Sequence, residues 1–276
     1  MNKHPIRPIT EDEIHTYRED GVVCLRGLFD AEWVAYLRDQ VAADMANPSG
    51  MVKDINEEDS TGFFFGDTFV CHHLDGFKRT VFDSPAAEIA ATTMGSTTAT
   101  LIFDQILAKE PGTSTKTLWH HDATYWPVAG DMVSTLWLAL DDVTAESGAV
   151  EYVCGSHRWG KRFAAVSFDP NQKYEEDLPP VPDIDAERGQ HRIVQPELAP
   201  GDCTLHHGLT MHGAPGNSTE GARRRAYITR WAGDDVTYNP RPKLQRMLRD
   251  PEIAPGARLA CDLFPMVWRR EAEAAE

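Results

Sequence analysis

Residues 119–127 read Trp119-His120-His121-Asp122-Ala123-Thr124-Tyr125-Trp126-Pro127. On an extended strand alternate side chains share a face, so His120 and Asp122 point one way and His121 the other. One short strand therefore offers an imidazole and a carboxylate to the same cavity. The pattern alone decides nothing. With 11 His and 24 Asp in the chain, about one His-x-Asp is expected by chance. A second copy stands at His73-Leu74-Asp75. What separates the two is the structure around them.

From residue 100 the chain reads as short strands broken by turn signals. Leu101-Ile102-Phe103 through Leu107-Ala108-Lys109 is closed by Glu110-Pro111-Gly112, and Thr117 to His121 follows. Val133 to Leu140 runs into Asp141-Asp142, Ala149 to Val153 ends at Gly155-Ser156, and Pro200-Gly201-Asp202 turns into Cys203 to His207. Ala226 to Trp231 is the last strong strand. The start is helical. Thr10 before Glu11-Asp12-Glu13 caps a helix that Gly21 ends, Val22 to Leu25 is a strand, and Asp30 caps a second helix. That helix carries Trp33, Val34, Leu37, Val41 and Met45 on one stripe. Residues 46–82 have weak periodicity and hold Phe63-Phe64-Phe65; Pro85 to Met94 is a further helix. The expected fold is mainly β with flanking helices, a sandwich or jelly roll. His73-Asp75 lies outside its strands and reads as a surface-loop pair, which leaves His120 and Asp122. Residues 167–192 are acidic and Pro-rich, a long loop of the kind that forms lids, and the tail from Arg269 reads as a solvated end.

A chain of 276 residues with 41% apolar content buries a sizeable core as one domain. Its divisions are a helical part over about 10–98, a jelly-roll core over about 100–232 and an extension over 233–276. The formal charge of −16 argues against nucleic acid or anionic lipid as partner. No apolar run is long enough for a membrane span, and the first residues lack a secretory apolar core. The five cysteines, Cys24, Cys71, Cys154, Cys203 and Cys261, are far apart and odd in number. They suggest reduced thiols and a cytoplasmic protein.

Two imidazoles and one carboxylate form the facial triad of non-haem Fe(II) oxygenases, which leaves coordination positions open. The third ligand is to be sought among His157, His191, His206, His207 and His212. His212 is favoured, because it opens His212-Gly213-Ala214-Pro215 and is followed by Arg223 near the final strand. An arginine beside such a triad suits a dicarboxylate, since a guanidinium fork binds carboxylate in bidentate fashion.

In order along about residues 10–232, several stretches together resemble the phytanoyl-CoA dioxygenase family of Fe(II)/2-oxoglutarate oxygenases. They are Phe103-Asp104-Gln105, Lys109-Glu110-Pro111-Gly112, the 119–127 run, Leu136-Trp137-Leu138-Ala139-Leu140, Ser147-Gly148-Ala149, Gly155-Ser156-His157, and His212-Gly213 with Arg223 eleven residues on. The resemblance implies a double-stranded β-helix (cupin-like jelly roll), Fe(II) on His120, Asp122 and His212, and 2-oxoglutarate and O2 as co-substrates. It implies Arg223 on the distal carboxylate of 2-oxoglutarate, Arg225 being second choice on strand parity. Gln105, Trp137 and Thr117 would line the co-substrate pocket. Two positions depart from the family pattern: His121 stands where Gln is frequent, and Ala214 where Ser is frequent.

The resemblance also implies hydroxylation of an unactivated C–H bond with release of succinate and CO2. Halogenating relatives lack the carboxylate that Asp122 keeps. For the substrate cavity, Tyr125, Trp126, Phe65 and His157 are candidate wall residues. The expected substrate is a small molecule of the secondary-metabolite kind. An acyl-CoA 2-hydroxylase is the alternative, for which Arg158, Lys161 and Arg162 would be the basic contacts. A metal cupin that uses no 2-oxoglutarate and a catalytically silent ligand-binding jelly roll complete the field. No GxSxG, P-loop or GxGxxG is present.

Overall fold

The computed structural model describes residues 1–56, 61–166, 178–242 and 244–271. Helix α1 (Glu11–Asp20) starts at Thr10, whose hydroxyl accepts from the Glu13 amide while the Glu13 carboxylate accepts from the Thr10 amide. Such a reciprocal cap contributes about 1 kcal/mol. The helix stops at Gly21, where φ is 74°, a left-handed turn that glycine enters without strain. Strand β1 (Val22–Leu25) follows. Asp30 then caps α2 (Ala31–Ala46) by accepting from the Trp33 amide.

The remaining helices are α3 (Asp75–Asp83) and α4 (Ala86–Met94). The remaining strands are β2 (Lys53–Asp54), β3 (Phe64–Thr68), β4 (Thr98–Lys109), β5 (Thr117–His120), β6 (Val128–Ala129), β7 (Val133–Ala139) and β8 (Glu151–Val153). After them come β9 (Ile193–Val194), β10 (Cys203–His207), β11 (His212–Ala214), β12 (Arg224–Ala232), β13 (Thr237–Tyr238) and β14 (Met266–Arg269).

A large antiparallel sheet runs β1-β10-β7-β12-β4-β3-β2, with β14 added on β4. A smaller sheet runs β5-β11-β8-β9. Two sheets connected by crossing strands are the jelly-roll architecture. Helices cover the outer face of the large sheet, where Trp33, Leu37, Phe77, Ile89, Tyr227 and Trp231 share one core. On its inner face Trp137, Ala226 and Ile228 pack together, so even-numbered residues of β12 face inward and odd-numbered ones outward.

Three expectations are corrected. Over 46–83 the structure holds β2, β3 and α3; β3 did not announce itself because it is buried along its whole length and does not alternate. Arg269, where the solvated end was expected to start, still belongs to β14, which pairs with the start of β4, while residues 272–276 lie outside the described residues. In the 178–192 stretch Ile184 is fully buried, packed with Val153, Phe163 and Met211; residues 167–177, the middle of the expected lid, lie outside the described residues.

Candidate active site

β5 carries the chain inward as far as His120, and the backbone stays extended at His121 (φ −125°, ψ 147°) before a 3-10 turn over Asp122–Thr124. His120 and Asp122 therefore emerge on the same side. His121 goes the other way, where its Nε2 accepts from the Phe163 amide at 2.9 Å. β11 pairs with β5 so that His212 is the direct partner of His120. This register completes the constellation: His120 Nε2 lies 3.6 Å and His212 Nε2 4.0 Å from Asp122 Oδ1. One ligand atom from each residue falls within 4.8 Å of the others. His73, by contrast, is bound to the Asn47 carbonyl on the surface.

Both imidazoles are set for metal. His120 Nδ1 donates to the Leu118 carbonyl at 2.7 Å and His212 Nδ1 to the Thr210 carbonyl at 2.9 Å. With the proton on Nδ1, each Nε2 presents a lone pair to the shared point. Burial, joined by the neighbouring His120 and His206 rings, holds His212 well below its ordinary pKa. Burial alone would raise the Asp122 carboxyl. The His120 and His206 side chains, joined by His212 and Arg230, outweigh it and keep Asp122 well below the carboxylate range. A neutral imidazole and an ionised carboxylate are the states that ligate.

The triad opens into a cavity of about 990 Å³, counting its mouth. Of the residues anticipated from the sequence, Gln105, Thr117, Trp137, Tyr125 and Trp126 line it. Three are elsewhere. Phe65 is part of the helix-side core, while Phe64 faces the cavity. His157 is bound to the Arg18 carbonyl at 3.1 Å beneath the end of α1. Arg223 lies just before β12 with its side chain 44% exposed, and pairs with Glu110 at 2.8 Å. Arg225, on the outward face of β12, forks onto Asp141 through Nε (2.9 Å) and Nη2 (2.7 Å).

The arginine that enters the cavity is Arg224, only 1% exposed. Its guanidinium sits 5.4 Å over the Trp137 ring, and its Nε and Nη2 are buried without a hydrogen-bond partner. Burial lowers its pKa to about 10. Unpaired buried donors on a cation are costly, and an incoming carboxylate would satisfy them. The family spacing pointed to Arg223; the pairing of β12 with β4 and β7 turns Arg224 inward instead. A one-residue shift of pairing register reverses every side chain on a strand.

Sequence reasoning missed other wall residues. Arg230, two turns of the pleat beyond Ile228's neighbour Ala226, also faces inward, donates through Nη2 to Gln105 Oε1 at 2.6 Å and lies 4.4 Å over Phe103. Tyr152 from β8 and Gln245 from the C-terminal extension also line the cavity. Arg230 shares the parity of Arg224, which only the pairing of β12 with β4 and β7 reveals. For Gln245 no local signal exists, because it arrives through tertiary packing of the extension, whose Arg241 bonds the carbonyls of Thr124 and Trp126.

Comparison with known proteins agrees with this geometry. A profile of the phytanoyl-CoA dioxygenase (PhyH) family matches residues 17–226. An ectoine dioxygenase of Sphingopyxis alaskensis is 26% identical over 234 residues, covering 80% of this chain and 75% of the relative. The crystal structure of SnoN, a non-haem α-ketoglutarate-dependent epimerase of nogalamycin biosynthesis, superposes with a TM-score of 0.74 at 26% identity over 96% of this chain and 98% of that one. SnoN has also been solved with Fe3+, α-ketoglutarate and nogalamycin RO. In fold alone, the carbocyclase SnoK matches with a TM-score of 0.76 at 22% identity, over 97% of this chain and 100% of that one. With its jelly-roll sheets, its inward His-Asp-His cluster and a family match across most of its length, this chain belongs to the phytanoyl-CoA dioxygenase family of Fe(II)/2-oxoglutarate-dependent oxygenases.

Proposed function

We propose that the protein hydroxylates an unactivated C–H bond of a small organic molecule, consuming 2-oxoglutarate and O2 and releasing succinate and CO2. The observation that carries this reading is the orphaned guanidinium of Arg224 in the same cavity as the three ligand atoms. His120 Nε2, Asp122 Oδ1 and His212 Nε2 would hold Fe(II), a donor set suited to that metal. Arg224 would pair with the distal carboxylate of 2-oxoglutarate, with Trp137 and Thr117 as walls. Bound iron and 2-oxoglutarate supply the oxidising power.

The chain's own contribution is placement and exclusion of water. Nδ1 hydrogen bonds fix both imidazole rings. Tyr125, Trp126 and Tyr152 give the cavity large apolar walls, and the Tyr125 hydroxyl is held by the Val166 carbonyl at 2.7 Å. His121 and Ala214, the two departures from the family pattern, leave the triad untouched; His121 points out of the cavity and Ala214 lines it.

A small molecule fits better than an acyl-CoA. Arg158, the first of the basic residues considered for a CoA moiety, pairs with Glu19 at 2.8 Å on the α1 side, and neither it, Lys161 nor Arg162 lines the cavity. The relatives act on compounds as different as ectoine and a nogalamycin intermediate, so the substrate is to be found by screening. The test is succinate formation with Fe(II), 2-oxoglutarate and O2, measured across candidate compounds. Stimulation by a small molecule with gain of one oxygen supports the reading. Failure of the purified protein to bind 2-oxoglutarate in the presence of Fe(II) overturns it.

A further inference from the structure

Asp122 is held at both oxygens, and the two are treated differently. Oδ1 faces the metal-ligating nitrogens of His120 and His212. Oδ2 accepts from Thr135 Oγ1 at 2.7 Å and is approached by His206 Nε2 at 3.3 Å. Thr135 and His206 are direct partners across the β7–β10 ladder, so both reach Oδ2 from adjacent positions on the inner face of the large sheet. All three residues are buried. His206 Nδ1 has no partner. Were the ring proton there, an unpaired N–H would be buried and two lone pairs would face each other at 3.3 Å. The arrangement therefore puts the proton on Nε2, donating to Asp122.

We infer that Thr135 and His206 are positioning residues that hold Oδ2 of Asp122 away from the metal, so that this carboxylate binds iron through Oδ1 alone. The inference rests on the metal assignment proposed above. A carboxylate is able to chelate a cation through both oxygens. Doing so here would use a position that 2-oxoglutarate and O2 need, since three protein ligands leave three sites. Two donors on Oδ2 oppose that chelation and fix the carboxylate's rotation. Groups that orient a metal ligand in this way typically contribute tenfold to a hundredfold in metal affinity.

The experiment uses the full chain loaded with Co(II) in place of Fe(II), without turnover. Co(II) affinity, the visible absorption of the bound ion and the 2-oxoglutarate affinity of the Co(II) protein are measured. The variants are Thr135→Val, Thr135→Ser, His206→Phe and His206→Gln. Expected results are Co(II) binding weakened about tenfold or more in Thr135→Val and His206→Phe, an altered absorption envelope, and weaker 2-oxoglutarate binding. Thr135→Ser, which keeps the hydroxyl, stays near wild type, and His206→Gln is partly restored. The proposal is overturned if Thr135→Val, with wild-type melting temperature, keeps its Co(II) affinity within about twofold and an unchanged spectrum. Thr135→Val changes no volume to speak of, so it decides the matter should His206→Phe fail to fold. A wild-type protein that binds no Co(II) overturns the metal assignment itself, and with it the clamp.

Discussion

Arg224 stands directly across the β4–β12 ladder from Lys109, and both side chains are buried. Like charges in direct cross-strand register oppose each other. Burial, with Arg224 second, pushes the Lys109 amine well below its ordinary pKa. Its ammonium is partly accommodated by the Pro215 carbonyl and by the Phe64 ring 4.7 Å away. Of the two, Arg224 lines the cavity, and its buried guanidinium donors without partners make a place there for an anion.

Arg224 is accordingly expected to control co-substrate affinity. Arg224→Met should raise the KM for 2-oxoglutarate by about a hundredfold or more, the scale of removing one partner of a buried charge pair. Arg223→Ala, cutting only the surface contact with Glu110, should leave it within about twofold. Steady-state succinate assays at varied 2-oxoglutarate decide this. Equal effects of both substitutions would contradict the assignment.

His120→Ala and Asp122→Ala should each abolish succinate formation, because two remaining ligands do not hold the metal in a defined geometry. Chelator treatment of the wild type should have the same effect, with Fe(II) restoring activity. Succinate made at the wild-type rate by either variant would remove the metal site from the proposal.

His157 is expected to act on stability rather than on catalysis. Its ring packs beneath Gly21 and bonds the Arg18 carbonyl, remote from the cavity. His157→Ala should leave kcat and KM unchanged while lowering the melting temperature by a few degrees, the effect of about 1 kcal/mol in a chain of this size. Gly21→Ala should cost more, since φ there is 74° and a Cβ would collide with His157 and Thr210.

Stability should fall as pH rises toward and through neutrality. Burial, joined by the charge of Asp67, raises the Asp44 carboxyl to about 7 from its ordinary value of 3.8, with His73 opposing. The folded protein therefore holds a proton that the unfolded chain releases. The contribution is complete below the unfolded value, 3.8, and is lost as pH climbs through about 7. Melting temperatures between about pH 5 and pH 8 should decline, and Asp44→Asn should flatten that slope. An unchanged slope in the variant would assign the dependence to other groups.

The sequence was most legible where chemistry is local. Thr10, Gly21 and Asp30 act through their own backbone neighbours; α1 begins and ends, and α2 begins, where those residues predict. His120 and Asp122 share a face because alternation on an extended chain is a property of two adjacent residues, and the structure keeps that relation. β3 was not legible, because a strand buried along its whole length lacks the alternation that would announce it, whereas α3 was missed although Phe77, Thr80 and Val81 stand at helical spacing.

The sequence by itself determined the His-x-Asp pair of the candidate site, the helix caps and the succession of short strands, all of which depend on spacings of a few residues. Only the tertiary structure decided that Arg224 rather than Arg223 or Arg225 enters the cavity, since three consecutive arginines are distinguished by which way the β4–β12–β7 pairing turns each of them. It also decided that His212 meets His120 and that Thr135 and His206 meet Asp122. Those meetings join residues up to 92 positions apart, from His120 to His212, and are set by sheet register, which no stretch of sequence contains on its own.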